Sequence, residues 1–135
     1  MLIRLSTTNL QVADPAQDVR GYRVVDTDGR EVGEVEDLIL DRDERKVRFL
    51  EVASGDLFGL GPGKTLIPLD VITRISEQVV SIDQTHQHVA AAPRYNPDLM
   101  VQDEVGHLYR HYGVLPYWGP SYVYPHDAPR VIPKP

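Results

Sequence analysis

The chain has 135 residues, no cysteine and a formal net charge of −6. Those facts exclude disulfide staples and thiolate metal sites, and leave room for one modest domain with an appendage. The charge is concentrated in residues 18–92, which carry nine Lys/Arg against fifteen Asp/Glu. So acidic a stretch is a poor match for phosphate backbones, whose affinity comes from counterion release by clustered cations.

In chain order, residues 1–17 are weakly patterned. Leu2, Ile3 and Leu5 suit a short edge strand, and Ala13-Asp14-Pro15 reads as a break. Tyr22–Asp26 is a β-prone run that leads into the turn Asp26-Thr27-Asp28-Gly29, where the aspartates can cap backbone amides and Gly29 can take a positive φ. In Val32–Asp41 the apolar positions mix periods. A helix is the rival reading, but Gly33 and the β-branched content favour a strand with a bulge near Glu36-Asp37. Lys46–Ala53 is apolar on both faces and is expected to be buried on both. The glycine-rich segment 54–63 forms a loop that displays Leu57, Phe58 and Leu60. Short strands follow at Lys64–Leu69, Val71–Ile75 and Val79–Ile82, and Thr85 caps a short helix that runs to Ala91.

The remainder differs in kind. Pro97-Asp98 opens a helix whose stripe Val101, Val105, Leu108 and Tyr112 is apolar, and Gly113 ends it. Gly106 weakens that helix by about 1 kcal/mol relative to alanine. Beyond it the proline- and aromatic-rich residues 114–135 read as an extended tail. The N-terminus has no cleavage-type apolar segment, and no stretch approaches the roughly 20 apolar residues that span a bilayer. The expected location is the cytoplasm.

The order DVRGYRVVDTDGREVGEVEDLILD, VRFLEV, glycine-rich loop, LIPLDVI, VVSID and AAPRYNP resembles the PRC-barrel family. That family's β-barrel is shared by the photosynthetic reaction-centre H subunit and a ribosome maturation factor, and the free-standing bacterial members look nearest. The resemblance implies a mainly β fold: a small six-stranded barrel with a short helix over residues 18–95, preceded by a segment at 1–17. A helix and tail follow at 96–135. It also implies a protein-docking role and brings no catalytic residues. The membrane-spanning helix of the H-subunit relatives has no counterpart here, and seventeen residues cannot supply the extra β domain of the ribosome-related ones.

DTDG opens like a Ca²⁺ loop, but Arg30 stands where an oxygen ligand belongs, so the aspartates read as turn formers. His107 and His111 sit four apart on the C-terminal helix and are the candidate metal ligands; HLYRH lacks the glutamate that serves zinc hydrolases as a base. GLGPGK has the wrong spacing for a phosphate loop, and no nucleophile elbow occurs. Tyr117, Trp118, Tyr122 and Tyr124, interleaved with prolines, are the candidate interaction residues, with Leu57, Phe58 and Leu60 as a receiving surface. The tail has three possible uses: a cap on its own barrel, exchange within a homodimer, or docking to another protein. The resulting expectation is a non-enzymatic assembly module that needs no cofactor and self-associates. The alternatives are a ribosome- or RNA-associated factor and a metal-dependent protein using the two histidines.

Overall fold

A computed structural model describes residues 1–54 and 63–135. The loop carrying Leu57, Phe58 and Leu60 lies outside the described residues.

The fold is mainly β. The long strand β4 (Glu31–Asp41) organises the sheet, with β5 (Val47–Ser54) antiparallel along one edge. Its other edge is divided between β3 (Arg23–Val25), which pairs with residues 31–34, and β1 (Leu2–Arg4), which pairs with residues 39–41. β2 (Leu10–Val12) belongs elsewhere. β6 (Gly63–Pro68) extends the sheet beyond β5, while β8 (Val79–Ile82) pairs parallel with β3 and antiparallel with β7 (Ile72–Ser76). The hydrogen-bonded path is therefore β6-β5-β4-β3-β8-β7, with β1 attached to β4. It does not close into a ring among the described residues: β6 and β7 are its two ends, joined by chain through the 3₁₀ turn Leu69–Val71. Six strands on one continuous path agree with the sequence reading, whereas a sealed cylinder of backbone hydrogen bonds does not.

Local chemistry explains most of these elements. At the β3–β4 turn the Asp26 carboxylate accepts the amides of Asp28 (2.9 Å) and Arg30 (2.8 Å), and Gly29 takes φ +79°. The bulge expected near Glu36 is present: Val35 pairs with Val52 and Asp37 with Glu51, which leaves Glu36 as the extra residue. A second register shift leaves Arg48 extra on β5, between Val47 and Phe49. Gly33 allows β4 and β5 to approach closely, since a Cβ there would lie 2.4 Å from the Ala53 carbonyl oxygen. From Val47 to Val52 every β5 residue is buried, as a strand covered on both faces should be.

Thr85 caps α1 (His86–Ala90) by accepting the His88 amide. The C-terminal helix begins later than the periodicity suggests. Residues Pro97–Leu99 make a separate 3₁₀ turn capped by Asn96, and α2 runs Gln102–Tyr112. Val101, expected on the buried stripe, is 59% exposed at the helix start, where its amide donates to the Glu104 carboxylate. This carboxylate contact is what sets the start, because it supplies a partner for one of the amides a helix N-terminus leaves over. Val105, Leu108 and Tyr112 are buried as expected, and Tyr109 joins them. Gly113 closes α2 at φ +70°.

The tail is not extended. It turns at residues 116–119, 119–122 and 125–128, then forms β9 (Val131–Pro133), antiparallel to β2. Ring contacts to the sheet, described below, offset the cost of bending it. One apolar core runs from Leu2 and Leu5 through the sheet to α2. No helix among the described residues is long and apolar enough to cross a membrane.

Candidate functional site

The tail and the sheet meet around Arg48. A bulge adds a residue to one strand and re-aims its side chain, and at this bulge it places a guanidinium within a mostly apolar strand. The Arg48 side chain is 2% exposed. Its Nε donates to Asp41 Oδ2 at 2.8 Å, and its outer nitrogen reaches Glu44 Oε1 at 3.1 Å. Burial is the largest influence and works against the charge, but the hydrogen bond to Asp41, its Coulombic attraction and the smaller attractions of Tyr109 and Tyr122 together outweigh it and hold the Arg48 pKa above its usual value. Asp41 is fixed in turn by the Glu44 amide, which donates to Oδ1 at 2.6 Å.

Three tail rings enclose this cation. The guanidinium carbon lies 4.1 Å from the Tyr117 ring centroid, 5.2 Å from Tyr124 and 5.8 Å from Tyr122. These distances fall within the range of cation–π attraction, which is strongest where water is excluded. The Tyr124 hydroxyl also donates to the Val47 carbonyl at 3.0 Å. Burial, only partly offset by Arg48, pushes the Tyr124 pKa up to about 12. Asp70, half-buried beside Tyr122, has its pKa raised chiefly by burial.

Trp118 stands one step aside. Its ring meets Tyr117 and Tyr109 edge-on, with centroids 5.0 and 6.2 Å apart, and it covers Gly106, whose Cβ would lie 3.6 Å from the indole. A glycine inside α2 thus provides the flat place on which the tail's tryptophan sits. Tyr109, beneath it, packs against Phe49 at 5.1 Å.

Of the residues singled out in the sequence, Tyr117, Tyr122 and Tyr124 converge on one cation and Trp118 packs beside them. Leu57, Phe58 and Leu60 fall outside the described residues. His107 and His111 do not converge. His107 is exposed, 3.5 Å from the Tyr95 hydroxyl, while His111 stacks on His88 at 4.0 Å. In that stack each Nε2 donates to the other residue's carbonyl at 2.6 Å. His86 is the buried histidine: its amide and Nδ1 both donate to Asp26 Oδ2, at 3.0 and 2.9 Å, tying α1 to the β3–β4 turn. Arg48, Asp70 and Tyr109 were not singled out. The lone cation of VRFLEV, charged amid a strand apolar on both faces, was the available signal for Arg48.

A family model of the PRC-barrel domain matches residues 13–89, more than half of the chain, and the chain belongs to that family. No curated protein matches it. The matched stretch spans β3 to β8 and most of α1. It includes Arg48, but α2 and the tyrosines that enclose Arg48 lie beyond it.

Proposed function

We propose that this chain is a non-enzymatic docking module of the PRC-barrel type, working in the cytoplasm and pairing with a second copy of itself. The observation that carries the reading is the two-sidedness of its C-terminal part. Inwardly, Tyr117, Tyr122 and Tyr124 are committed to Arg48. Outwardly, five of the seven large hydrophobics exposed among the described residues fall between positions 99 and 123: Leu99, Val101, Leu115, Trp118 and Val123. Apolar side chains concentrated on one part of a surface mark interaction sites, and a self-complementary patch is the commonest route to a homodimer. The tail then serves as a cap on its own sheet and as the outer face offered to the second copy.

Sedimentation velocity across a concentration series tests this. The native chain is expected to dimerise, and a Leu115→Glu/Val123→Glu double variant to stay monomeric with an unchanged far-UV circular dichroism spectrum. A native chain that remains monomeric throughout the series would overturn the self-association.

A further inference from the structure

Where the β4–β5 turn meets the β2–β9 seam, the surface is basic. Several cations of the molecule hold carboxylates, as Arg4 holds Glu51 and Lys64 holds Glu36. Arg42, Arg45, Arg130 and Lys134 gather here without an ion pair among the described residues. The fold brings them together from distant parts of the chain. Arg130 bridges Lys46 at the end of the turn, and the Lys134 amide donates to the Asn9 carbonyl at 2.9 Å. Of the turn's exposed acids, Glu44 is taken by Arg48 and Lys46, which leaves Asp43 against these four cations. On a chain of net charge −6, so local an excess of positive charge draws anions to one place.

An open pocket of about 320 Å³ lies in this patch. Arg42 and Arg45 line it together with apolar Ile3, Leu10 and Pro133, and no aspartate or glutamate does so among the described residues. None of these five residues is buried and both arginines are exposed, so a ligand can reach every group it would use. The Arg42 guanidinium reaches Met1 Sδ at 3.8 Å, and a thioether is a weak acceptor. Arg45 sits at φ +56°, a left-handed conformation that glycine adopts at least cost, with its amide on the Asp41 carbonyl at 3.0 Å. A guanidinium is thus kept where the backbone favours a residue without a side chain. Guanidinium forks match the oxygens of a carboxylate or a phosphate, and the apolar wall suits an aliphatic group.

We propose that this pocket binds an oxyanion carried on a short aliphatic chain, its head group on Arg42 and Arg45 and its carbons against Ile3, Leu10 and Pro133. The proposal goes beyond self-association and uses none of the side chains assigned to it.

The probe is hexanoate at pH 7, titrated into the full chain and followed by ¹H–¹⁵N chemical shifts, with hexan-1-ol, hexylammonium and acetate as controls. Saturable shifts are expected at Ile3, Leu10, Arg42 and Arg45, with a dissociation constant on the order of 1 mM, ordinary for so few atoms. Hexanol and hexylammonium should bind at least about tenfold more weakly, for want of a charge-assisted hydrogen bond. Acetate should also lose at least about tenfold, because it leaves the apolar wall uncovered. Arg45→Gly should lose about the same factor while melting within a few degrees of the native chain, since glycine accepts the left-handed turn. Hexanol or acetate binding as tightly as hexanoate, shifts confined to other surfaces, or no saturation at several times that concentration would each overturn the proposal. So would full affinity in a folded Arg45→Gly variant. The ligand comparisons need no variant and stand whether or not Arg45→Gly folds. Hexyl phosphate run alongside names the head group: tighter binding than hexanoate assigns a phosphate, and weaker binding assigns a carboxylate.

Discussion

Replacing Arg48 by methionine is the sharpest test of how the tail is held. Methionine keeps an unbranched apolar stem and removes the charge, so the change acts mainly on electrostatics. The native pair is well isolated from water, with 2% of the Arg48 side chain and 4% of Asp41 exposed. Removing one partner of a buried pair typically costs about 3–5 kcal/mol, because the other charge is stranded. Loss of the Tyr117 contact at 4.1 Å adds about 1–2 kcal/mol for a desolvated cation–π pair. The expected sum, about 4–7 kcal/mol, is a large part of the stability of a domain this size. Adding Asp41→Asn should restore about half of it: the stranded charge is gone, and the amide oxygen can still accept the Glu44 N–H. Urea unfolding at neutral pH measures both values. Trp118 emission reports on the tail directly, because that ring rests edge-on against Tyr117. A loss below about 1 kcal/mol with native Trp118 emission would refute the claim that Arg48 anchors the tail.

Gly33→Ala places a methyl 2.4 Å from a backbone carbonyl oxygen and 2.8 Å from Val52 Cγ1, so β4 and β5 must part. A loss of about 3 kcal/mol in urea unfolding is expected, at the upper end of overpacking costs, and an unchanged midpoint would disprove the close approach. Opposite pH behaviour is expected at two aspartates. Burial would raise the Asp26 pKa, but hydrogen bonds from Arg30, His86 and Asp28 hold it below the usual range. Its contribution is therefore complete above about pH 4, near the unfolded value, and is lost as the pH falls through the lower folded value. Asp70 is raised, so its ionisation penalises the fold above its folded pKa, and that penalty disappears as acid protonates it. Melting curves from pH 7 to pH 2 should show Asp26→Asn destabilised most at neutral pH and converging on the native chain in acid. Asp70→Asn should gain stability at neutral pH and lose the gain in acid.

What the sequence made legible was local. The β3–β4 turn needs only Asp26 and Gly29, the Glu36 bulge follows from apolar residues that change face, and β5 announces itself by being apolar on both sides. The helix start was misjudged because periodicity extends the stripe to Val101, while Pro97 and the Glu104 carboxylate divide that segment into two elements. Partnerships between distant segments were not legible. β2 and β9 are three residues each, too short to display a period, and nothing local marks them as mates. Spacing on α2 pairs His107 with His111, yet the fold gives His111 to His88 on another helix. The tyrosines stand out in the sequence for being aromatic and crowded, but composition cannot show that their common centre is an arginine buried some seventy residues earlier.

The β2–β9 ladder has a consequence for how the molecule is made. Residues 10–12 must wait for residues 131–133 before their edge is matched, and the Lys134 amide fastens the same seam to the Asn9 carbonyl at 2.9 Å. Bringing together ends separated by so long a chain costs roughly 4 kcal/mol in closure entropy if the intervening residues are loose, and much less once the sheet has already gathered them. The seam is therefore cheapest to close after the sheet and α2 have brought its two strands near each other.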